Sequence, residues 1–169
     1  DENAPYLIED AEDLKRLAEL VNMGDGHYSG ASYLVTGNID LSAYKNADDG
    51  KGWEPIGTAS NRFRGHFDGG GHSIKGLTIN RPDEDYIGLF GYVEGGTIED
   101  VAVEANVKGH DYVGGVVGSM GSGSTVQNCS SAGSVSGTGN YVGGIVGYIT
   151  PGSVRNCYST GSVSGTGNC

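Results

Sequence analysis

The sequence predicts an all-β fold, a parallel β-solenoid whose N-terminal end is capped by an α-helix. Three observations predict it: similar segments recur every 26–29 residues, apolar and polar residues alternate within them, and 32 of the 169 residues are glycine. A short recurring segment of strands and turns is typical of a stacked β-repeat. Glycine at this frequency disfavours a helical bundle, because each glycine inside a helix costs about 0.5–1 kcal/mol relative to alanine. An apolar content of 36% disfavours a flexible linker.

The repeats are clearest in the C-terminal half of the chain. Tyr141 opens YVGGIVG, Tyr112 opens YVGGVVG, a diverged copy begins with YIGLFG at Tyr86, and a half-copy begins at Phe63. In a solenoid each copy forms one turn, and successive turns lie about 4.8 Å apart, which places equivalent residues above one another. A β-propeller, whose blades need about 40 residues, and a two-sheet sandwich are the alternatives. The near-identity of the copies favours stacking.

Alignment of the copies predicts which residues share the core. Apolar residues at alternate positions, as in Val101–Val107, indicate strands with one buried face. Three inward columns are expected: Ile74, Ile98, Val126 and Val154; Leu77, Val101, Cys129 and Cys157; and Val107, Val135 and Val163.

The first 45 residues differ from the rest, and we expect residues 1–45 to form a cap and 46–169 to form the repeats. Between Asp10 and Met23 the apolar residues fall on one helical face. Asp10 is expected to cap the start of this helix and Gly24 its end. A solenoid leaves its core open at each end, so the helix is expected to cover one of them. The alternative is a helix packed along one side.

The charges are unevenly distributed. The formal net charge is −11, and after Asp111 the only charged residue is Arg155. This balance disfavours nucleic acid and anionic membranes as partners, and no apolar run is long enough for membrane insertion. Asp1 at the start, and Cys169 where the pattern requires a new tyrosine, indicate a processed chain or a piece cut from a longer protein.

Known catalytic patterns are missing from the sequence. None of the four histidines is followed by glutamate, so there is no His-Glu-x-x-His zinc motif. Asp68 with His66 and His72 could form a metal cluster, but FDGGGHSI is read as a structural turn. The acidic segments 46–52 and 83–85 are read as solvated loops rather than calcium sites. We therefore expect no catalytic residue, no metal and no cofactor.

Tyrosine is the richest candidate for binding. Tyr86, Tyr112 and Tyr141 each precede an isoleucine or valine at the start of a repeat. If that aliphatic residue points inward, the tyrosine points outward. Such tyrosines could bind sugar faces or a protein partner. The favoured alternative is that they stack on one another and stiffen the solenoid.

Two further pairs of residues have predicted structural roles. Asn128 and Asn156 are expected at one corner, because asparagine tolerates a left-handed backbone. Cys129 and Cys157 read as small buried apolar residues. A disulfide between them is conceivable, but parallel Cβ directions make it awkward, and the reduced form is favoured.

Several of these segments resemble a known family. The strings GLFG at 88–91, VGGVVG at 113–118 and VGGIVG at 142–147 are similar to the GLUG repeat. Such repeats recur in large bacterial surface and secreted proteins, some of them IgA-specific metallopeptidases. The resemblance implies a right-handed parallel β-helix on an exported protein. It implies no activity, because the repeats stand beside many different domains.

The expected function is therefore that of a non-catalytic repeat segment of a bacterial cell-surface or secreted protein, acting as an adhesin, stalk or presenting scaffold. Its expected partners are adjacent domains of a longer chain and a host glycan or host protein. One alternative is a glycan- or protein-binding module. Another is the non-catalytic front region of an IgA-peptidase-like metalloprotease whose catalytic domain lies elsewhere.

Overall fold

The computed structural model describes residues 4–167, so Cys169 lies outside the described residues. Two helices, α1 (Ala11–Asn22) and α2 (Gly26–Ser29), and a 3-10 turn (Ser42–Tyr44) lie near the N-terminus. A short turn, Ala47–Gly50, follows them and has left-handed backbone at its centre. The strands are β1 Tyr6–Ile8, β2 Ser32–Val35, β3 Ile39–Asp40, β4 His66–Asp68, β5 Ser73–Asn80, β6 Phe90–Val93, β7 Thr97–Glu99, β8 Ala102–Gly109, β9 Val113–Gly114, β10 Val117–Met120, β11 Thr125–Gln127, β12 Ser130–Gly137, β13 Val142–Gly143, β14 Val146–Ile149, β15 Ser153–Arg155, β16 Tyr158–Ser159 and β17 Ser162–Gly165.

These strands form parallel sheets. One sheet has the order β1-β2-β4-β7-β11-β15, a second has β3-β5-β8-β12-β16 with β17 also on β12, and a third has β6-β10-β14. The short strands β9 and β13 pair with each other. From β7 onward the chain visits the sheets in the same sequence in each repeat. The prediction of an all-β chain is confirmed, and its strands pair in parallel.

The register aligns the repeats residue by residue. Ile98, Val126 and Val154 are successive partners in the first sheet, and Val107, Val135 and Val163 are successive partners in the second. Equivalent side chains therefore form continuous columns through the stack, as the alignment of the copies predicts for these two sets.

The structure contradicts the expected columns for two residues of the half-copy, Ile74 and Leu77. Ile74 pairs with Val103, and the neighbour of Ile98 is Phe67. Leu77 pairs with Ala105 and not with Val101. The cause is a longer turn through three glycines after β4, followed by a register shift in β5 between Ile74 and Leu77. Ile74 and Leu77 therefore align with positions further along the next copy than the expected partners, Ile98 and Val101.

The core runs along the inside of the sheets. Three phenylalanines lie buried at its N-terminal part, and the rings of Phe63 and Phe67 each lie 5.1 Å from that of Phe90. Further along, valine and isoleucine replace them. The aromatic and aliphatic parts belong to a single buried cluster that also includes residues of α1.

Helix α1 packs against this core with one face. Its buried side chains are Leu14, Leu17, Ala18 and Val21. The side chain of Asp10 accepts a hydrogen bond from the Asp13 N–H at 3.0 Å and so caps the helix start. At the other end Met23 is the cap residue, and Gly24 follows it with a φ of +86°, so the expected cap is displaced by one residue. Among the described residues no helix is long and apolar enough to cross a membrane.

Candidate functional site

Three tyrosines form a continuous stack on the outside of the sheets, here called the tyrosine ladder: Tyr86, Tyr112 and Tyr141. The rings of Tyr86 and Tyr112 lie 4.8 Å apart at 6°, and those of Tyr112 and Tyr141 lie 5.2 Å apart at 9°. The next residues, Ile87 and Val113, point inward and are buried. The outward direction of the tyrosines follows from this alternation.

The corner that carries the ladder has an unusual backbone. The φ angles of the three tyrosines are 63°, 57° and 60°, a left-handed conformation that bulky residues rarely adopt. The acidic residues before Tyr86 and Tyr112 each hold the next corner: the Asp85 carboxylate accepts the Asp111 N–H, and the Asp111 carboxylate accepts the Asn140 N–H. Side-chain and ring contacts therefore both join successive corners.

A second column of residues flanks the ladder. Tyr92, Ser119 and Tyr148 are register partners on β6, β10 and β14. The Tyr92 ring lies 5.3 Å from Tyr86, and the Tyr148 ring lies 4.8 Å from Tyr141.

At one end of this aromatic cluster Arg62 makes a cation–π contact: its guanidinium carbon lies 4.4 Å from the centre of the Tyr92 ring. Glu94 fixes this guanidinium through an ion pair at 2.7 Å.

The geometry limits what the ladder can bind. A sugar stacks on the open face of an aromatic ring, but the faces of Tyr86 and Tyr112 are in contact with neighbouring rings. Partial burial raises the pKa of both hydroxyls above their ordinary value. Of the three ladder rings only that of Tyr141 is exposed, at 38%. The arrangement is therefore better suited to mutual stacking than to a row of sugar subsites.

Asn128 and Asn156 lie at a second left-handed corner. Their φ angles are 53° and 50°, and Asp100 has 53° at the equivalent place in the preceding repeat. The Asn156 side-chain amide donates a hydrogen bond to the Asn128 side-chain oxygen at 3.3 Å. This corner is joined between repeats by side chains, as the tyrosine corner is.

Cys129 and Cys157 follow these asparagines, and both thiols are free. Cys129 is buried, and its burial raises the pKa of the thiol to about 12. Its thiol donates to the Gln127 carbonyl at 3.2 Å, and the Cys157 thiol donates to the Arg155 carbonyl at 3.1 Å. A thiol with so high a pKa is a poor nucleophile.

His66 meets a carboxylate that the sequence does not single out. The sequence groups His66 with Asp68 and His72, but its Nε2 lies 2.5 Å from Glu99 Oε1 on the neighbouring strand. The Gln127 amide donates to the other oxygen of Glu99, and these contacts, Gln127 first, lower the pKa of Glu99. The sequence alone could not show this contact. The register of β4 and β7 pairs Asp68 with Glu99, and this pairing brings Glu99 within reach of His66.

Within residues 4–167, two groups of side chains have the spacing of metal ligands. Asp68, Glu99 and Asp100 form one group, and Asp85, His110 and Asp111 form the other. In the second, His110 Nδ1 lies 2.8 Å from Asp85 Oδ1, which also accepts a backbone N–H. Both groups make hydrogen bonds that hold adjacent repeats together. Their oxygen-rich composition would suit a hard cation.

A cavity of about 170 Å³ lies beside α1, and its lining includes Lys15, Tyr44 and Trp53. Another cavity beside the same helix has a volume of about 250 Å³, and its lining includes Leu17 and Tyr33. The buried indole N–H of Trp53 makes no hydrogen bond. Both volumes are below the roughly 300–1,000 Å³ of most small-molecule pockets. A groove of about 450 Å³ runs across β5, β8 and β12 beside Thr78, Asn106 and Ser134, but it is open along its length and would enclose a ligand poorly, so the ladder stays the main candidate site.

The chain matches known proteins in three comparisons. Residues 138–164 match the model of the GLUG motif. The chain is 42% identical over 100 residues to a protein of Evansella cellulosilytica provisionally named a Gly-rich membrane protein, covering 59% of this chain and 11% of that protein. It is 36% identical over 141 residues to halomucin of Haloquadratum walsbyi, covering 79% of this chain and 2% of halomucin. The chain thus spans only a small part of either relative.

A solved structure shows the same fold. It is a protein of Bacteroides ovatus provisionally named an immunoglobulin A1 protease, with a TM-score of 0.67 and 20% identity, covering 99% of this chain and 60% of that one. At this identity the likeness concerns the fold alone. The resemblance to GLUG-repeat proteins is confirmed: the chain carries a GLUG motif and shares its fold with a protein named as an IgA1 protease.

Proposed function

We propose that this chain is a right-handed parallel β-helix capped by α1, and that it serves as a non-catalytic scaffold of a bacterial cell-surface or secreted protein. In this role it would act as a stalk, adhesin or presenting segment. The observation that carries the proposal is the unbroken tyrosine ladder, with rings 4.8 and 5.2 Å apart at corners in matched register. Such a column transmits load between repeats and leaves little ring surface for a ligand.

The glycines support a rigid segment. Gly118 lies in the interior between two neighbouring repeats, where an added Cβ would come within 2.6 Å of the Tyr112 carbonyl oxygen and 2.7 Å of the Ile87 nitrogen. Any larger residue would push the layers apart. Gly91 and Gly147 meet backbone at similar distances in the adjacent repeats. The glycine content therefore supports close packing of layers rather than flexibility.

An extracellular location is supported by the names of the relatives. One is provisionally named a membrane protein and the other is halomucin. The net charge of −11 also favours solubility and disfavours binding to anionic surfaces. The adjacent domains of a longer chain would be the partners that such a scaffold presents.

A glycan- or protein-binding module is the second candidate. The feature that favours it is Tyr141, the exposed ring of the ladder. A third candidate is the non-catalytic front region of an IgA-peptidase-like metalloprotease, which is supported by the likeness of fold alone.

Single-molecule pulling between the two ends tests the scaffold role. We expect unfolding in steps of about 95 Å, the extended length of one repeat, because each repeat packs only on its neighbours. Smooth extension without steps would contradict a load-bearing stack.

A glycan array and a pull-down with host proteins test the binding alternative. The matched variants are Tyr141→Ser, at the ladder, and Tyr6→Ser, an exposed tyrosine on β1 far along the same chain. Binding lost in the first and kept in the second would favour the binding module over the passive scaffold.

A further inference from the structure

The smaller cavity beside α1 is lined by a residue that carries a buried donor without a partner. Trp53 lines this cavity, only 3% of the residue is exposed, and its indole N–H makes no hydrogen bond among the described residues. The backbone of Trp53 is paired, since its N–H donates to the Thr78 carbonyl at 2.9 Å. Folded proteins rarely keep a buried donor unpaired, because the lost hydrogen bond to water is not replaced. An acceptor bound in the cavity would replace it.

The walls of this cavity combine aromatic rings with small apolar side chains. The ring centres of Tyr44 and Trp53 lie 5.8 Å apart at 71°, and Ala18 and Ala47 belong to the same lining. The Tyr44 hydroxyl donates to a Glu12 carboxylate oxygen at 3.1 Å, which holds the ring in place. A volume of about 170 Å³ is too small for a ligand of several rings and suits a ligand of one ring.

The lining of the cavity includes three acidic residues and one basic residue. Lys15 pairs with Glu19 at 3.1 Å, and Asp48 pairs with Arg81 at 2.8 Å. Glu54 is exposed, and within residues 4–167 it makes no ion pair or side-chain hydrogen bond. The cavity therefore offers one carboxylate that is free to accept hydrogen bonds from a ligand.

These groups select the chemical class of the ligand. An anion would meet three carboxylates and a single ammonium group. An ammonium cation would suit Glu54, but it would leave the indole N–H of Trp53 without an acceptor. A neutral ring with several hydroxyls satisfies both groups, because a hydroxyl can donate to Glu54 and another can accept from the indole. The C–H groups of such a ring would contact the aromatic and alanine walls.

We infer that this cavity binds a single neutral monosaccharide residue, with Glu54 and the indole N–H of Trp53 as its hydrogen-bonding groups. The site shares no residue with the tyrosine ladder. The inference goes beyond the scaffold role and stands whether or not that role is correct.

An NMR titration of the whole chain tests the inference. Trp53 is the only tryptophan, so its indole N–H gives a single side-chain peak. The probes are the methyl glycosides of glucose, galactose and mannose, with glucuronate as an anionic and choline as a cationic comparison. We expect at least one neutral glycoside to move the indole peak saturably, with a Kd of about 1–10 mM, and both charged probes to bind about tenfold more weakly or not at all.

Matched variants locate the binding. Glu54→Ala should weaken binding of the glycoside about tenfold, because the free acceptor is removed. Ala47→Leu should abolish binding by filling the cavity, and circular dichroism would show that both variants are folded. Glu9→Ala, an exposed acid outside the lining, and Tyr141→Ser, in the ladder, should bind like the wild type.

Other outcomes would overturn the inference. An indole peak that none of the three glycosides moves at about 100 mM would show that the cavity holds only water. Tighter binding of choline or of glucuronate than of any glycoside would assign the cavity to a charged ligand. Equal binding by folded Ala47→Leu would place the sugar elsewhere, and loss of binding in Tyr141→Ser would place it at the ladder.

Discussion

At the scale of single residues, the ladder combines backbone strain with ring stacking. A left-handed backbone costs a residue with a Cβ about 1–2 kcal/mol. The three equivalent tyrosines of the ladder all adopt this conformation, with φ near 60°. Glycine would fit this backbone better but has no ring. Face-to-face contact with two neighbours and the carboxylate bonds at the same corner offset the strain. Tyr112, in the middle, has both neighbours.

Replacement of the central ring should therefore destabilise the chain. Tyr112→Ala should lower the free energy of unfolding by about 1–3 kcal/mol, since each aromatic pair contributes about 0.5–1.5 kcal/mol beyond buried area. Tyr141→Ala should cost less, because Tyr141 is more exposed and has one neighbour in the ladder. Both variants keep the left-handed corner, so urea unfolding compares the rings alone. Equal losses would contradict a ladder whose centre contributes most.

The corner beside the ladder should respond to pH. The hydrogen bond to Asp85, with Asp111 nearby, raises the pKa of His110 above its ordinary 6.5. The protonated imidazole is therefore favoured in the folded state. Its contribution to stability is complete below pH 6.5 and is lost as the pH rises through the higher folded-state pKa. NMR titration should show a lower His110 pKa in Asp85→Asn and a smaller change in Asp83→Asn. An unchanged pKa in Asp85→Asn would show that the contact is unimportant.

At the scale of elements, the sequence predicts what is periodic and misses what depends on register. The helix and the columns through Val107 and Val126 follow from spacing alone. Ile74 and Leu77 were misplaced because a longer glycine turn and a shift inside β5 have no counterpart in the later repeats. The contact of His66 with Glu99 was missed because residues 33 apart meet only through strand pairing. Non-local pairing is what local pattern analysis cannot supply.

Helix α1 depends on its first cap. Asp10→Ala removes the side-chain acceptor for the Asp13 N–H and should lower the free energy of unfolding by about 1 kcal/mol. Glu9→Ala, one residue earlier and outside the cap, should change it by less than about 0.5 kcal/mol. Thermal unfolding followed by circular dichroism compares them. If Asp10→Ala were as stable as Glu9→Ala, the helix would not depend on this cap.

Strand β12 has one face in the core and one in solvent. Val135→Asp places a carboxylate in a fully packed column and should cost about 3 kcal/mol or more, because a buried charge without a partner is strongly unfavourable. Ser134→Asp, on the other face beside Asn106, is the control and should stay near wild-type stability. Denaturant unfolding of both variants checks the inward assignment. A stable Val135→Asp would refute it.

At the scale of the whole molecule, stability is distributed along the stack. In a repeat protein each repeat adds its own stability and that of the interfaces with its neighbours. The last repeat has one such interface in the single chain, and its residues are half-exposed or exposed, whereas the repeats before it have two. The aromatic core near Phe63 and the helix strengthen the other end. Local opening should therefore begin in the last repeat, at β15–β17, and proceed towards α1.

Hydrogen exchange at single-residue resolution should show this order directly. The amide of Val163 should exchange fastest, that of Val135 more slowly and that of Val107 slowest, because the three occupy one column with increasing cover. Uniform exchange along the column would mean that the stack opens as one unit, and nearest-neighbour stability would then not describe this chain.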